Sequence, residues 1–222
     1  MRTFVTAALI ALGFASGPAL GETIRFSPGL EDWTKVRFPG IAPVDFSASS
    51  EGGLAIAADS AAGMLWHSLP DDAKAKHMAR WRWRVEQGVA ATDLTRRGAD
   101  DRAIAVYFVF SERPGNSYSP MQLLASAAVT TLAYVYGGDQ PRDSIIASPH
   151  MGKRGKFITL RPADAPKQIW LDEKVDLSSD YRRAFGLPMP TLIGVAISSD
   201  SDDTRGRNRA SLQDLIIGEA PR

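Results

Sequence analysis

Three aspartates, Asp200, Asp202 and Asp203, fall within four positions of "SSDSDDTRGRNR", directly after the apolar run "TLIGVAI". Carboxylates packed this densely have three chemistries open to them. The run Asp200-Ser201-Asp202-Asp203-Thr204 matches D-x-D-x-T, in which the first Asp attacks phosphorus and the second moves protons. That pattern belongs on the first strand of a large α/β domain with further motifs downstream, and here few residues follow Thr204. Hard oxygen ligands on a tight loop also suit Ca²⁺. The helix–loop–helix calcium pattern is not met, because Arg205 stands where its glycine is needed and Ser211 where its closing Glu is needed. A structural Ca²⁺ held by Asp200, Asp202 and Asp203 in a β-sandwich needs no fixed motif and stays open. The third chemistry is pairing with Arg205, Arg207 and Arg209, which follow at once. Exposed pairs of that kind contribute about 0–1 kcal/mol each.

A second set lies upstream. In "HMARWRWRV" the arginines Arg80, Arg82 and Arg84 alternate with Trp81, Trp83 and Val85. On a strand the three guanidiniums share one face, about 7 Å apart, and such forks recognise carboxylates. Asp100 and Asp101 precede the run Ala103–Phe110, so neighbouring strands would pair them with the arginines. With Tyr107 these residues make a polar binding set: Arg82, Arg84, Asp100, Asp101, Tyr107, Asp200 and Asp202. Asp100 or Asp101 with Asp200 or Asp202 as its partner would also serve glycoside cleavage if the two faced each other. The three histidines, His67, His77 and His150, show no metal-ligand spacing. The chain has no cysteine, which excludes thiol catalysis and disulfides, and neither G-x-S-x-G nor a P-loop appears.

The elements that must position these groups are mostly strands. Strict alternation makes "ARWRWRV" a strand with one buried face, with Trp81, Trp83 and Val85 inside. The apolar, β-branched and aromatic runs Ala103–Phe110 and "TLIGVAIS" read as central strands covered on both faces. Further strands are expected at Thr23–Ser27, Thr34–Phe38, Leu54–Ala58, Met64–Leu69, Leu132–Tyr136, Lys156–Arg161, Ile169–Val175 and Ala210–Ile217. Two short helices are expected. One begins at Ser119-Pro120 and runs for about two to three turns. The other is capped by Ser179 or Asp180 and stopped by Gly186. Without regular strand–helix alternation, the chain reads as a mostly β, jelly-roll-like antiparallel β-sandwich of one domain, residues 22–222. Most of its aromatics belong to the core, with Trp66 and Tyr136 the ones expected to be partly exposed.

The opening "MRTFVTAALIALGFASGPALGETIRF" has a positive start, a short apolar run and small residues up to Gly21. This is the pattern of a signal peptide cleaved near Gly21, which predicts a periplasmic or secreted protein. Cleavage removes Arg2 and no acid, and the remaining basic and acidic residues are equal in number. That balance argues against nucleic acid and against adhesion to anionic membrane. No later segment is long and apolar enough to span a bilayer.

Five phrases in order, "ARWRWRV", "GADDRAIAVYFVF", "YVYGG", "SSDYRRAFG" and "GVAISSDSDDT", resemble an exported bacterial family catalogued as domain of unknown function 3047. The resemblance spans most of the chain after Gly21 and implies an export-targeted single domain, with no specific activity to carry over. Two departures stand at the acidic loop: Asp203 where the pattern has Asn, and a closing "SLQDLII" less aromatic than its counterpart. Together these readings predict a non-catalytic periplasmic module that binds a glycan or other polar envelope ligand. The alternatives are a carboxylate-dependent hydrolase or lyase on envelope polysaccharide, and a structural or assembly partner.

Overall fold

The computed structural model describes residues 22–24, 30–70, 77–113 and 119–218; the expected signal peptide lies outside them. Among the described residues, thirteen strands and two helices follow in the order β1 (Glu22–Thr23), β2 (Thr34–Arg37), β3 (Asp45–Ala48), β4 (Leu54–Asp59), β5 (Ala62–Ser68), β6 (Met78–Gln87), β7 (Arg102–Ser111), α1 (Pro120–Ala125), β8 (Val129–Tyr136), β9 (Ile145–Ser148), β10 (Gly152–Arg161), β11 (Leu171–Asp176), α2 (Leu177–Phe185), β12 (Thr191–Asp200) and β13 (Arg207–Gly218). They form two sheets. Sheet A has the order β11-β6-β13-β4-β3 with β1 also on β13, and sheet B has the order β2-β5-β12-β7-β8-β10-β9. All strand pairs are antiparallel except β8 with β10. The fold is therefore the jelly-roll-like β-sandwich that the sequence pattern predicts.

The two inner faces make one core. Trp81, Trp83 and Val85 of β6 meet Phe108 of β7 and Tyr134 and Tyr136 of β8. Trp81 and Trp83 stand edge to face at 5.5 Å, and Trp83 does the same with Tyr136 at 5.7 Å. Edge-to-face contacts of this kind add to what burial of the rings already contributes. Glu173 on β11 is buried beside them, where it accepts from Trp83 Nε1 at 3.0 Å and from Arg161 Nε at 2.6 Å. The expected partial exposure of Tyr136 is incorrect. Its ring lies in the core at 1% exposure, and its hydroxyl donates to the Pro166 carbonyl at 2.5 Å. Trp66 is half-buried as expected. Its indole crosses the backbone of β12 so closely that a Cβ on Gly194 would fall 2.1 Å from it, a contact only glycine permits.

Both helices form, each with a correction. α1 is six residues, shorter than expected, and Ser119 caps its N-terminus with a capping box to Gln122. In α2 the N-cap is Asp176, whose side chain accepts from the Ser179 amide, and not Ser179 or Asp180. Gly186 ends it in the left-handed conformation. The strands β3 and β9 were not expected; both are four residues long. Of the strand expected over Thr23–Ser27, β1 forms only Glu22–Thr23, and residues 25–27 lie outside the described residues.

Candidate functional site

Sheet B is buried on its outer face as well. Val36, Met64, Leu94, Ala105, Tyr107, Ala133, Val135, Phe157 and Ala196 form a second apolar cluster there, and α1 lays Leu123 against Val109 and Val129. On this face a cleft of about 350 Å³ opens over β12, β7 and β10. Its polar end holds Arg97, Asp100, Arg102, His150, Ser198, Asp200, Asp202 and Asp203.

Arg102 organises that end, and a bulge puts it there. Between Ser198↔Ala105 and Asp200↔Arg102, β12 advances two residues while β7 advances three. Side chains alternate along a strand, so the extra residue moves Arg102 from the core side to the side of Tyr107. Arg102 is 5% exposed. Its Nη1 donates to the Asp100 carbonyl at 2.8 Å, to Asp200 Oδ2 at 3.3 Å and to Asp100 Oδ2 at 3.4 Å. Its Nη2 donates to the Tyr107 hydroxyl at 2.9 Å and to Ser198 Oγ at 3.4 Å. The guanidinium also lies 5.1 Å from the centre of the Phe157 ring. Burial opposes the charge on Arg102, but Tyr107, Asp200 and Asp100 outweigh it and raise its pKa.

The acids around it play different parts. Asp100 is 1% exposed and lies 3.1 Å from Nε2 of His150, which stands exposed between β9 and β10. Asp101 is fully buried and ties down the turn after β12. It accepts from the Thr204 amide at 2.7 Å, the Thr204 hydroxyl at 2.5 Å and the Asp203 amide at 3.3 Å. Asn208 joins the same region by donating to the carbonyls of Asp200 at 2.7 Å and Arg102 at 3.0 Å. Burial pushes the Asp200 carboxyl up to about 9 against the pull of Arg102, with Asp202 and Asp101 adding repulsion. Arg102 stays charged in either state of Asp200, because Asp100 also faces it. Burial, with Asp101 and Asp202 nearby, raises Asp203 as well. Asp101, Asp200 and Asp202 bring carboxylate oxygens within 4.8 Å of one another. Asp101 thus stands in the trio where the sequence pattern suggested Asp203.

The expected binding set is divided by the fold. Asp100, Asp101, Tyr107, Asp200 and Asp202 come together with Arg102. Arg82 and Arg84 do not join them. They project from the outer face of sheet A, where both guanidiniums lie over Trp170, at 5.1 and 4.8 Å from its ring centre. Their acidic partners are Asp172, Glu51 and Glu86. The expected pairing of Asp100 and Asp101 with the arginine strand is therefore incorrect. β6 and β7 follow each other in the chain but belong to different sheets. Sequence reasoning missed Arg102, His150, Ser198 and Phe157. The "DDR" triplet was the one available signal, since an arginine touching two aspartates at a strand end is a ready ion pair.

A β-sandwich with an acid-rich, arginine-centred cleft on one outer face is the class of protein that these features define. The chain belongs to the family described as "Protein of unknown function (DUF3047)", which it matches over residues 31–216. No curated protein sequence matches it. Among solved structures it is similar to a family 11 carbohydrate-binding module from Clostridium thermocellum in complex with a β-1,3-1,4-mixed-linked tetrasaccharide. That match has 9% identity and a TM-score of 0.45, and covers 92% of this chain and 98% of that one. It is also similar to the xyloglucanase domain of NopAA, a type three effector from Sinorhizobium fredii, in complex with cellobiose. The identity there is 9% and the TM-score 0.45, with 86% of this chain and 93% of that one covered. An adhesin domain of Lys-gingipain from Porphyromonas gingivalis is 14% identical, with a TM-score of 0.39, and the match covers 90% of this chain and 100% of that one.

Proposed function

We propose that the protein is a non-catalytic binding module of the cell envelope, and that the sheet B cleft holds a glycan or other polar ligand. The observation that carries this reading is the cleft itself. In a single cavity of about 350 Å³ it sets fixed donors and acceptors beside an apolar floor. Arg102, Asp100 and Asp200 are held rigid by each other, so a hydroxyl-rich ligand meets groups already oriented for it. The exposed His150 is the side chain to vary, because it reaches the cleft without belonging to the core. In calorimetric titrations of the protein with neutral, uronate-bearing and amine-bearing oligosaccharides, at least one class binds, and His150→Ala weakens it about tenfold, the value of one charge-assisted contact. Binding that ignores His150→Ala, or no binding at all, overturns the reading. Export after cleavage near Gly21 is part of the same proposal. Among the described residues no helix is long and apolar enough to cross a membrane.

Calcium fits the acidic trio on one structural ground. Asp200 Oδ1 is buried and receives no hydrogen bond, so an ionised Asp200 leaves an oxygen that a cation satisfies. Asp101, Asp200 and Asp202 would hold the ion, which would fix the 201–206 turn against β7 without taking part in a reaction. Titrating calcium into EDTA-treated protein is expected to raise the melting temperature saturably. The gain is about 2.7 kcal/mol at a hundredfold excess over Kd, and Asp202→Asn abolishes it. A flat response to millimolar calcium leaves the trio as charge partners only.

One observation favours a second reading, a carboxylate-dependent hydrolase. Asp200, raised to about 9 mainly by burial, is a neutral acid that faces the cleft, and a carboxyl of that kind suits proton donation. Release of reducing ends from a polysaccharide panel, lost in Asp200→Asn, would establish it.

A further inference from the structure

The cleft has a second pole. Besides its polar groups it is lined by Phe38, Ile41, Met64, Leu124 and Met151, and none of these side chains offers a strong hydrogen-bond donor or acceptor. Phe38, Ile41, Leu124 and Met151 are half-buried, so they keep apolar surface in contact with solvent. The cleft does not stop there. Met64, Tyr107 and Leu124 also border a small cavity of about 20 Å³ beneath α1, lined mainly by apolar side chains such as Trp66, Val109, Leu123 and Val129, with Thr131 beside them. Met64, Tyr107 and Leu124 therefore line both the cleft and the space under α1.

The floor between the poles does not present aromatic faces to a sugar ring. Phe157 is 2% exposed and carries Arg102 over its ring, and Tyr107 is 6% exposed with its hydroxyl on Arg102. The two rings also stand edge to face with each other, at 87°. Flat stacking of a pyranose on either ring is therefore closed. Thioether and branched aliphatic side chains such as Met64, Met151, Ile41 and Leu124 instead adapt their shape to an alkyl group. The polar end complements hydroxyls, because its guanidinium is already matched by Asp100 and Asp200 and a carboxylate-bearing sugar would meet Asp202 and Asp203.

We infer that the ligand is a glycan carrying an alkyl or acyl substituent, with the sugar on the Arg102 pole and the chain running along Met64 and Leu124 toward α1. This rests on the glycan-binding reading above and adds the chemistry of the substituent. The test is titration with octyl β-glucoside, kept below its micellar concentration, against methyl β-glucoside and octanol. Octyl glucoside is expected to bind at least about tenfold more tightly than the methyl compound, the gain from burying about two methylenes. Leu124→Gln is expected to abolish that difference and leave methyl glucoside unchanged, and Met151→Gln serves if Leu124→Gln does not fold. Equal affinity for the two glucosides overturns the substituent and leaves the glycan reading standing. Octanol binding as tightly as octyl glucoside overturns both, and so does binding of neither glucoside by a protein that also ignores the oligosaccharide panel.

Discussion

Arg102→Met is expected to cost about 3–5 kcal/mol of unfolding free energy at neutral pH, the usual result of leaving a buried carboxylate, here Asp100, without its cationic partner. The side chains of Asp100 and Arg102 are 2% and 6% exposed and that of Asp200 is 16% exposed, so solvent cannot take over for the lost guanidinium. The Tyr107 hydroxyl and Ser198 Oγ lose a donor in the same step. Arg102→Lys keeps a charge but cannot span four partners, and it should fall between the variant and the natural protein. Urea unfolding at pH 7 reads all three. A loss below about 1 kcal/mol would show that water reaches this cluster.

The second large effect is a pH dependence, measured in EDTA so that no cation takes part. Asp200 titrates near 3.8 when unfolded and near 9 in the fold. Between those values the folded protein holds a proton that the unfolded chain has released. Its contribution to stability is thus fully present below about pH 4, declines as the pH rises, and is lost once the pH passes about 9. The decline should amount to several kcal/mol, in line with the penalty for burying an ion in a protein. Asp200→Asn keeps the shape and has no charge to bury. The difference between the two stability curves should be near zero at pH 4 and should grow in favour of Asn toward pH 9. Parallel curves over that range would mean that Asp200 is ionised beside Arg102 throughout.

Much of the scaffold was legible because it depends on short-range periodicity. Alternation of Trp81, Trp83 and Val85 with arginines marked one buried face of β6, and the structure buries all three at 2% or less. The unbroken apolar run of β7 announced a strand covered on both sides, and every residue from Arg102 to Ser111 is buried. β3 and β9 escaped notice because four residues carry too little pattern. The cap of α2 was misplaced because several oxygen-bearing residues, Asp176, Ser178, Ser179 and Asp180, all satisfy the local rule for an N-cap. Which of them leaves the helical conformation depends on where β11 ends.

The candidate site was legible only in its residue types. Asp100, Asp101, Asp200 and Asp202 could be singled out because carboxylates crowded beside apolar strands demand compensation. Their partner could not be found that way. By itself the sequence determined that this chain builds two apolar-faced sheets with acids at two strand ends, since burial of alternating side chains leaves no other use for them. The tertiary structure decided which charges meet. The crossing from β6 to β7 sends consecutive strands into different sheets and carries Arg82 and Arg84 away from the acids. One extra residue in β7 turns Arg102 outward. The β9–β10 connection then brings His150 to Asp100 across 50 positions of chain. Each of these is a long-range register choice set by the packing of whole sheets, and no window of neighbouring residues contains it.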